Sequence, residues 1–174
     1  LSLIEFIVLI AAKMPVFDAM NTTFGTAGTG GFGIKNSSLG GYSVTIQWIV
    51  TIFMMLFGVN FNAYYIMIFG SIKKALSMEE VRAYFGIILT AIVIITINIY
   101  SMCSGVWDAV TKSAFQVGSI ITTTGFATTD FNIWPQTSKT ILVLLMFVGA
   151  CAGSTGGGIK VSRFVILIKT VIKG

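Results

Sequence analysis

The sequence predicts an all-α membrane protein, and three observations carry the prediction. Of its residues 55% are hydrophobic and only 10% are charged, with a mean hydropathy of +0.92, whereas soluble domains carry about 25% charged residues. Apolar segments of membrane-crossing length recur along the chain. One arrangement also occurs twice: an outer loop, a half-helix, a Thr/Gly turn and a long apolar helix.

The elements follow in order. The opening "LSLIEFIVLIAAKMP" has no basic residues ahead of its apolar run and does not read as a signal peptide. The run ends near Ala12, where a helix has risen only about 18 Å against roughly 30 Å of hydrocarbon. It is expected to be the tail of a membrane helix that begins upstream, so the chain reads as a fragment. Residues 43–70 are expected to form one tilted spanning helix, and residues 83–100 are just long enough for another. Residues 138–152 are too short alone, but "IKVSRFVILIKTVIKG" continues them beyond a glycine-rich break. Lys73, Lys74 and Arg82 lie two crossings away from Lys169 and Lys173, which puts both basic groups on the cytoplasmic side. Residues 15–42 and 101–137 then face outward.

Those outward segments match each other. Each starts with an aromatic-Asp-Ala triplet, "FDA" at 17 and "WDA" at 107, and each ends in Gly-Phe, within "TAGTGGFG" at 26 and "ITTTGFAT" at 121. Asp18 to Phe32 is 14 positions and Asp108 to Phe126 is 18. The difference is about one helical turn, as a longer second half-helix would give with the turn kept in register. Asp18 and Asp108 are expected to cap the half-helices, and Asp130 to draw cations to the mouth.

Non-helical backbone at membrane depth must line a polar cavity, because each unsatisfied group costs several kcal/mol there. The half-helix ahead of each turn directs its C-terminal end, roughly half a negative charge, toward the turn. Extended Thr and Gly backbone can aim successive carbonyl oxygens one way, and such rings replace the hydration shell of a monovalent cation. Glycine permits the dihedrals needed, and the Thr hydroxyls either add ligands or tie the turn to its surroundings. The plainer reading is an extracellular loop with tight turns. A second special stretch, "GACAGSTGGGIK" at 149–160, should lie in the inner half of the bilayer. Its glycines with Ser154 and Thr155 read as a flexible intramembrane gate below the turn. The rival reading is a small-residue surface for close helix packing. Lys160 either adds a positive barrier or snorkels to the interface, as Arg163 and Lys169 are expected to do.

Other matches fail on context. Gly28, Gly30 and Gly33 spell GxGxxG without the βαβ frame a dinucleotide site needs. "GSTGGGIK" is similar to a phosphate-binding loop, but Ile159 precedes Lys160 and Val161 stands in place of Ser or Thr. The sequon "NTT" at 21 falls in a half-helix, and "NSS" at 36 is usable only in a secretory-pathway host. The net charge of +5 forms no stripe interleaved with aromatics, so no nucleic-acid partner is expected. The chain has no His, and Cys103 and Cys151 show no metal or redox spacing. No nucleophile has a base, so no enzyme activity is expected.

The stretches "FGTAGTGGFG" (24–33), "GVNF" (58–61), "QVGSIITTTGFATTDFNIWP" (116–135) and "GACAGSTGGGIKVSRF" (149–164) resemble the Trk/Ktr/HKT superfamily of potassium transporters, most closely its bacterial TrkH branch. The resemblance covers essentially the whole chain. It implies M1–pore helix–M2 repeats with re-entrant filter loops, four per subunit around one potassium pathway. Residues 1–70 would be the second repeat, its M1 truncated, and 71–174 the third, with a broken M2. It implies filter glycines at Gly31 and Gly125, with carbonyl donors at Thr29, Gly30, Thr123 and Thr124. It implies a gating loop of Gly153, Ser154, Thr155, Gly156, Gly157 and Gly158. Potassium would be the transported ion, with no covalent cofactor. The implied setting is the plasma membrane, the inner membrane if the host is bacterial, with several passes and lipid contact. The implied partners are a second identical subunit and a cytosolic nucleotide-binding ring. Two alternatives stay open: a sodium-permeable member of the superfamily, and a secondary transporter with a midplane site on broken helices. The latter predicts inverted repeats, whereas these copies run parallel.

Overall fold

A computed structural model describes residues 1–173; the Lys173 side chain and Gly174, the last residue of the expected third repeat, lie outside the described residues. The described residues are helical with no strand, as the composition predicts. The apolar opening forms α1 (Ser2–Ala11). Pro15 then ends the turn and presets the start of α2 (Val16–Ala27). After the first Thr/Gly turn come α3 (Val44–Phe57), α4 (Phe61–Phe69), the five-residue α5 (Ile72–Leu76) and α6 (Glu79–Ile99). The second copy supplies α7 (Val106–Ile121), then α8 (Gln136–Phe147) and α9 (Val161–Lys173).

Residues 43–70 do not form the single spanning helix expected of them. They bend by 90° between α3 and α4. Gly58 closes α3, and Asn60 opens α4 by accepting from the Asn62 N–H at 2.8 Å. The bend is also dictated from outside. A Cβ on Gly58 would sit 2.2 Å from Tyr84 Oη and 2.9 Å from Thr122 Cγ2, so this turn is pressed against both α6 and the second Thr/Gly turn. Extended through the short 3-10 turn to Met102, α6 gives a continuous helix of 24 residues, long and apolar enough to cross a membrane.

The half-helices are the structural centre. α7 packs on α3, α6 and α8, and its buried face includes Phe115, Gln116 and Ser119. α2 packs on α1 and α3. Its 12 residues against the 16 of α7 account for the one-turn difference in spacing seen in the sequence. The Asp pair does not cap, contrary to expectation: the N-caps are Pro15 and Gly105, and both aspartates are third residues of their helices. Asp18 accepts from Tyr42 Oη at 2.5 Å, and burial together with this bond pushes the Tyr42 phenol up to about 12. Asp108 accepts from the Ser104 N–H at 3.2 Å and from Lys112 Nζ at 2.7 Å, and the Lys112 contact holds its carboxyl below the usual carboxylate range. Negative charge in the first turn suits a helix dipole without capping. At the opposite end of the bundle, Lys169 of α9 pairs with Glu79 of α6, so the start of α6 and the end of α9 lie together.

Candidate functional site: two Thr/Gly turns over a glycine loop

The two turns have the same backbone. Thr29 (φ 49°) and Gly31 (φ 65°) adopt left-handed conformations, and so do Thr123 (φ 57°) and Gly125 (φ 88°), ninety-four positions on. Their N–H groups are tied back to the half-helices in one pattern. Gly28 donates to Phe24 O, Thr29 to Thr26 O, and Gly30 and Gly31 both to Gly25 O. In the second copy Thr122 donates to Gly118 O, Thr123 to Ile120 O, and Thr124 and Gly125 both to Ser119 O. A left-handed residue costs about 1–2 kcal/mol without glycine's freedom, so Thr29 and Thr123 are held there by these bonds.

With the N–H groups directed backward, the carbonyls are released. Among the described residues, no donor reaches the carbonyl oxygens of Thr29, Gly30, Gly31, Thr123, Thr124 or Gly125. Each turn also follows the C-terminal end of a half-helix, which carries about half a negative charge. The arrangement can offer desolvated oxygens to a cation. The two copies lie against each other, since a Cβ on Gly31 would come within 2.0 Å of Thr124 O. A Cβ on Gly125 would meet nothing within 4 Å. The hydroxyls have separate duties. Thr122 donates to Gly118 O at 2.7 Å, which leaves Thr124 as the donor in the 2.7 Å Thr122–Thr124 pair. Thr29 Oγ1 donates to Thr155 O at 3.1 Å, and Thr123 Oγ1 accepts from the Gly157 N–H at 2.7 Å.

Those last two bonds bring the expected gating residues Gly153 to Gly158 directly to the turns. Residues 148–160 leave the helix as a closed excursion between α8 and α9. Gly149 donates to Ile159 O at 2.8 Å, Ile159 to Phe147 O at 3.2 Å, and Val161 to Ala150 O at 3.3 Å, which pinches its base. The glycines permit close approach: a Cβ on Gly149 would lie 2.0 Å from Gly157 O, and one on Gly156 would lie 2.6 Å from Ala150 Cβ and 3.1 Å from Thr122 O. Gly153 and Gly158 take positive φ. Ser154 Oγ donates to Cys151 O at 2.6 Å and closes the first limb. Lys160 bends back onto the loop, its ammonium donating to Gly156 O. Asp130 stays exposed and accepts from the Asn132 N–H and Nδ2.

Sequence reasoning missed the residues that anchor this loop. Gly58 O accepts from the Cys151 N–H at 3.0 Å, and Gly153 O from the Phe61 N–H at 3.1 Å. Glu80 accepts from the Ala152 N–H at 2.5 Å and from Asn60 Nδ2 at 3.2 Å. "GVNF" marked the first partner, but Glu80 carried no signal: an acid in the first turn of a spanning helix reads as a solvated helix end.

A family model described as TrkH, cation transport protein, matches residues 3–173. The Trk system potassium uptake protein TrkH of Salmonella typhimurium is 36% identical over 162 residues, covering 91% of this chain and 34% of that protein. TrkI of Halomonas elongata, also named a Trk system potassium uptake protein, is 33% identical over 153 residues, covering 87% and 31%. The crystal structure of the potassium transporter TrkH from Vibrio parahaemolyticus superposes with a TM-score of 0.90 at 32% identity, over 97% of this chain and 37% of that one. The chain therefore spans about a third of the length of the curated relatives it matches.

Proposed function

Since the chain belongs to the TrkH cation transport protein family, we propose that it forms part of a plasma-membrane potassium uptake transporter. In this reading residues 1–70 and 71–174 are two M1–pore helix–M2 repeats of a larger pore. Thr29 to Gly31 and Thr123 to Gly125 supply two of its filter strands. The observation that carries the reading is the pair of turns with matching left-handed residues, N–H groups tied back and carbonyl oxygens left without donors. Potassium loses water on entering such a site and regains oxygen ligands from the backbone. Transport of this kind needs no bond making or breaking.

Residues 153–158 act as the gate. They lie against both filter strands through Thr29 and Thr123, so the ion path is occluded until the loop moves. The named relatives belong to the Trk system, and the family reading adds a second identical subunit and a cytosolic nucleotide-binding ring that drives the loop. Basic residues in α5 and on α9 support a cytoplasmic position for that end.

The test is rubidium uptake into liposomes by the complete transporter. Gly125→Asp should abolish or scramble cation selectivity, because its side chain would enter the open space beside the turn; wild-type uptake would remove the filter assignment. Shortening 153–158 should raise basal flux, and unchanged flux would favour a packing role for the glycines.

A further inference from the structure

The bend between α3 and α4 belongs to one repeat and the excursion between α8 and α9 to the next, yet they are stitched together. Two backbone bonds, Cys151 N–H to Gly58 O and Phe61 N–H to Gly153 O, run between them. One side chain from a third element completes the junction. Glu80, the second residue of α6, receives the Ala152 N–H on Oε1 and Asn60 Nδ2 on Oε2. Asn60 is buried, and its own Oδ1 is committed to the Asn62 N–H, so its amide nitrogen is the group left to face Glu80. An acid in the first turn of a helix is ordinarily held by solvent, the dipole or a cation. Among the described residues Glu80 has no ion pair, and two neutral N–H donors take its two oxygens. Its neighbour Glu79 holds α9 through Lys169, so the first turn of α6 grips both the loop itself, at Ala152, and the helix that follows it.

We infer that Glu80 is a positioning residue for the gate: its carboxylate fixes the first limb of the 149–158 loop to the helix break of the preceding repeat and so keeps the glycines beneath the filter strands. The loop cannot swing away while the Ala152 N–H remains on Glu80. This rests on the reading of the loop as a gate.

The experiment is rubidium flux into liposomes by the complete transporter without its regulator, with the rubidium-to-sodium ratio measured alongside. Glu80→Ala should raise basal flux about tenfold, the scale of losing one hydrogen bond to a charged group, with the ion ratio kept. Glu80→Gln sets an amide nitrogen against Asn60 Nδ2, and Asn60→Asp sets two carboxylates together, so each alone should also raise flux. When Glu80→Gln and Asn60→Asp are combined, the donor and acceptor are exchanged across the contact. The introduced amide nitrogen then donates to the introduced carboxylate, its oxygen still accepts from the Ala152 N–H, and flux should return to near the wild-type value. A general loss of packing would not produce that rescue. If Glu80→Ala fails to accumulate, the two isosteric variants and their combination carry the test. Unchanged flux in the Glu80 variants, or no rescue in the pair, overturns the inference while leaving the gate intact, provided that shortening 153–158 raises flux. If shortening the loop also changes nothing, the gate reading falls and this inference with it.

Discussion

At the scale of single residues, the glycines of the two turns share a backbone conformation and differ in surroundings. Gly31 at φ 65° faces Thr124 O across 2.0 Å of notional Cβ space, whereas Gly125 at φ 88° faces an opening. Alanine at Gly125 therefore costs about 1–2 kcal/mol of left-handed strain and adds a methyl group in the open space beside the turn. Alanine at Gly31 adds a collision with the other strand. Gly125→Ala is expected to leave the complete transporter folded with a lowered potassium-over-sodium flux ratio. Gly31→Ala should lower both the ratio and the thermal midpoint, and equal midpoints for the two variants would contradict the packing described here. These positions were legible in the sequence because glycine's allowance of positive φ is a local property, and the shared Gly-Phe after a Thr/Gly stretch advertises it. Glu80 and Asn60 were not, since their roles exist only after three separate elements meet.

At the scale of elements, the repeated half-helices could be read because their spacing differed by a whole turn, and 12 against 16 residues is that turn. The 90° bend between α3 and α4 could not. Its local cue, Gly58 followed by Asn60, is weak inside an apolar run. The decisive pressure comes from Tyr84 and Thr122, which are distant in sequence. Residues 149–160 were legible as a break, since consecutive glycines disfavour helix by about 1 kcal/mol each. That the break closes on itself through Gly149, Ile159 and Val161 depends on pairing no composition specifies. The bend yields its own prediction. Gly58→Ala should destabilise the transporter by roughly 1–3 kcal/mol through overpacking. Tyr84→Phe in that background should recover part of the loss, because it removes the atom 2.2 Å from the new methyl and leaves Thr122 Cγ2 at 2.9 Å and the ring Cζ at 3.0 Å. A thermal melt of the two variants decides it, and a Gly58→Ala protein as stable as wild type would mean the bend is not packed as described.

At the scale of the whole molecule, the parallel order of the copies brings the two turns edge to edge, with the loop of the second copy across both. A docking rule emerges from their contact. Phe126 is buried at 2% exposure with its ring over Gly25, where a Cβ would come within 2.8 Å of Cζ, so the Gly-Phe of the second turn seats on α2, the half-helix of the first. Phe32, its counterpart, is 85% exposed. In the larger pore proposed above, Phe32 should seat on a further half-helix in the same way. Phe32→Cys, with Cys103 replaced by serine, should then resist a water-soluble thiol reagent, and rapid labelling would argue against a ring of such contacts. The all-helical membrane class and the paired turns followed from composition and repetition. The convergence of both turns on one loop did not, because nothing local ties Thr29 to Thr155. The anomalous signal of thallium or rubidium in crystals of the complete transporter tests the filter assignment most directly. A peak is expected in coordinating contact with the main-chain oxygens of Thr29 to Gly31 and Thr123 to Gly125. Density for the ion elsewhere, with those oxygens turned away from it, would contradict the assignment.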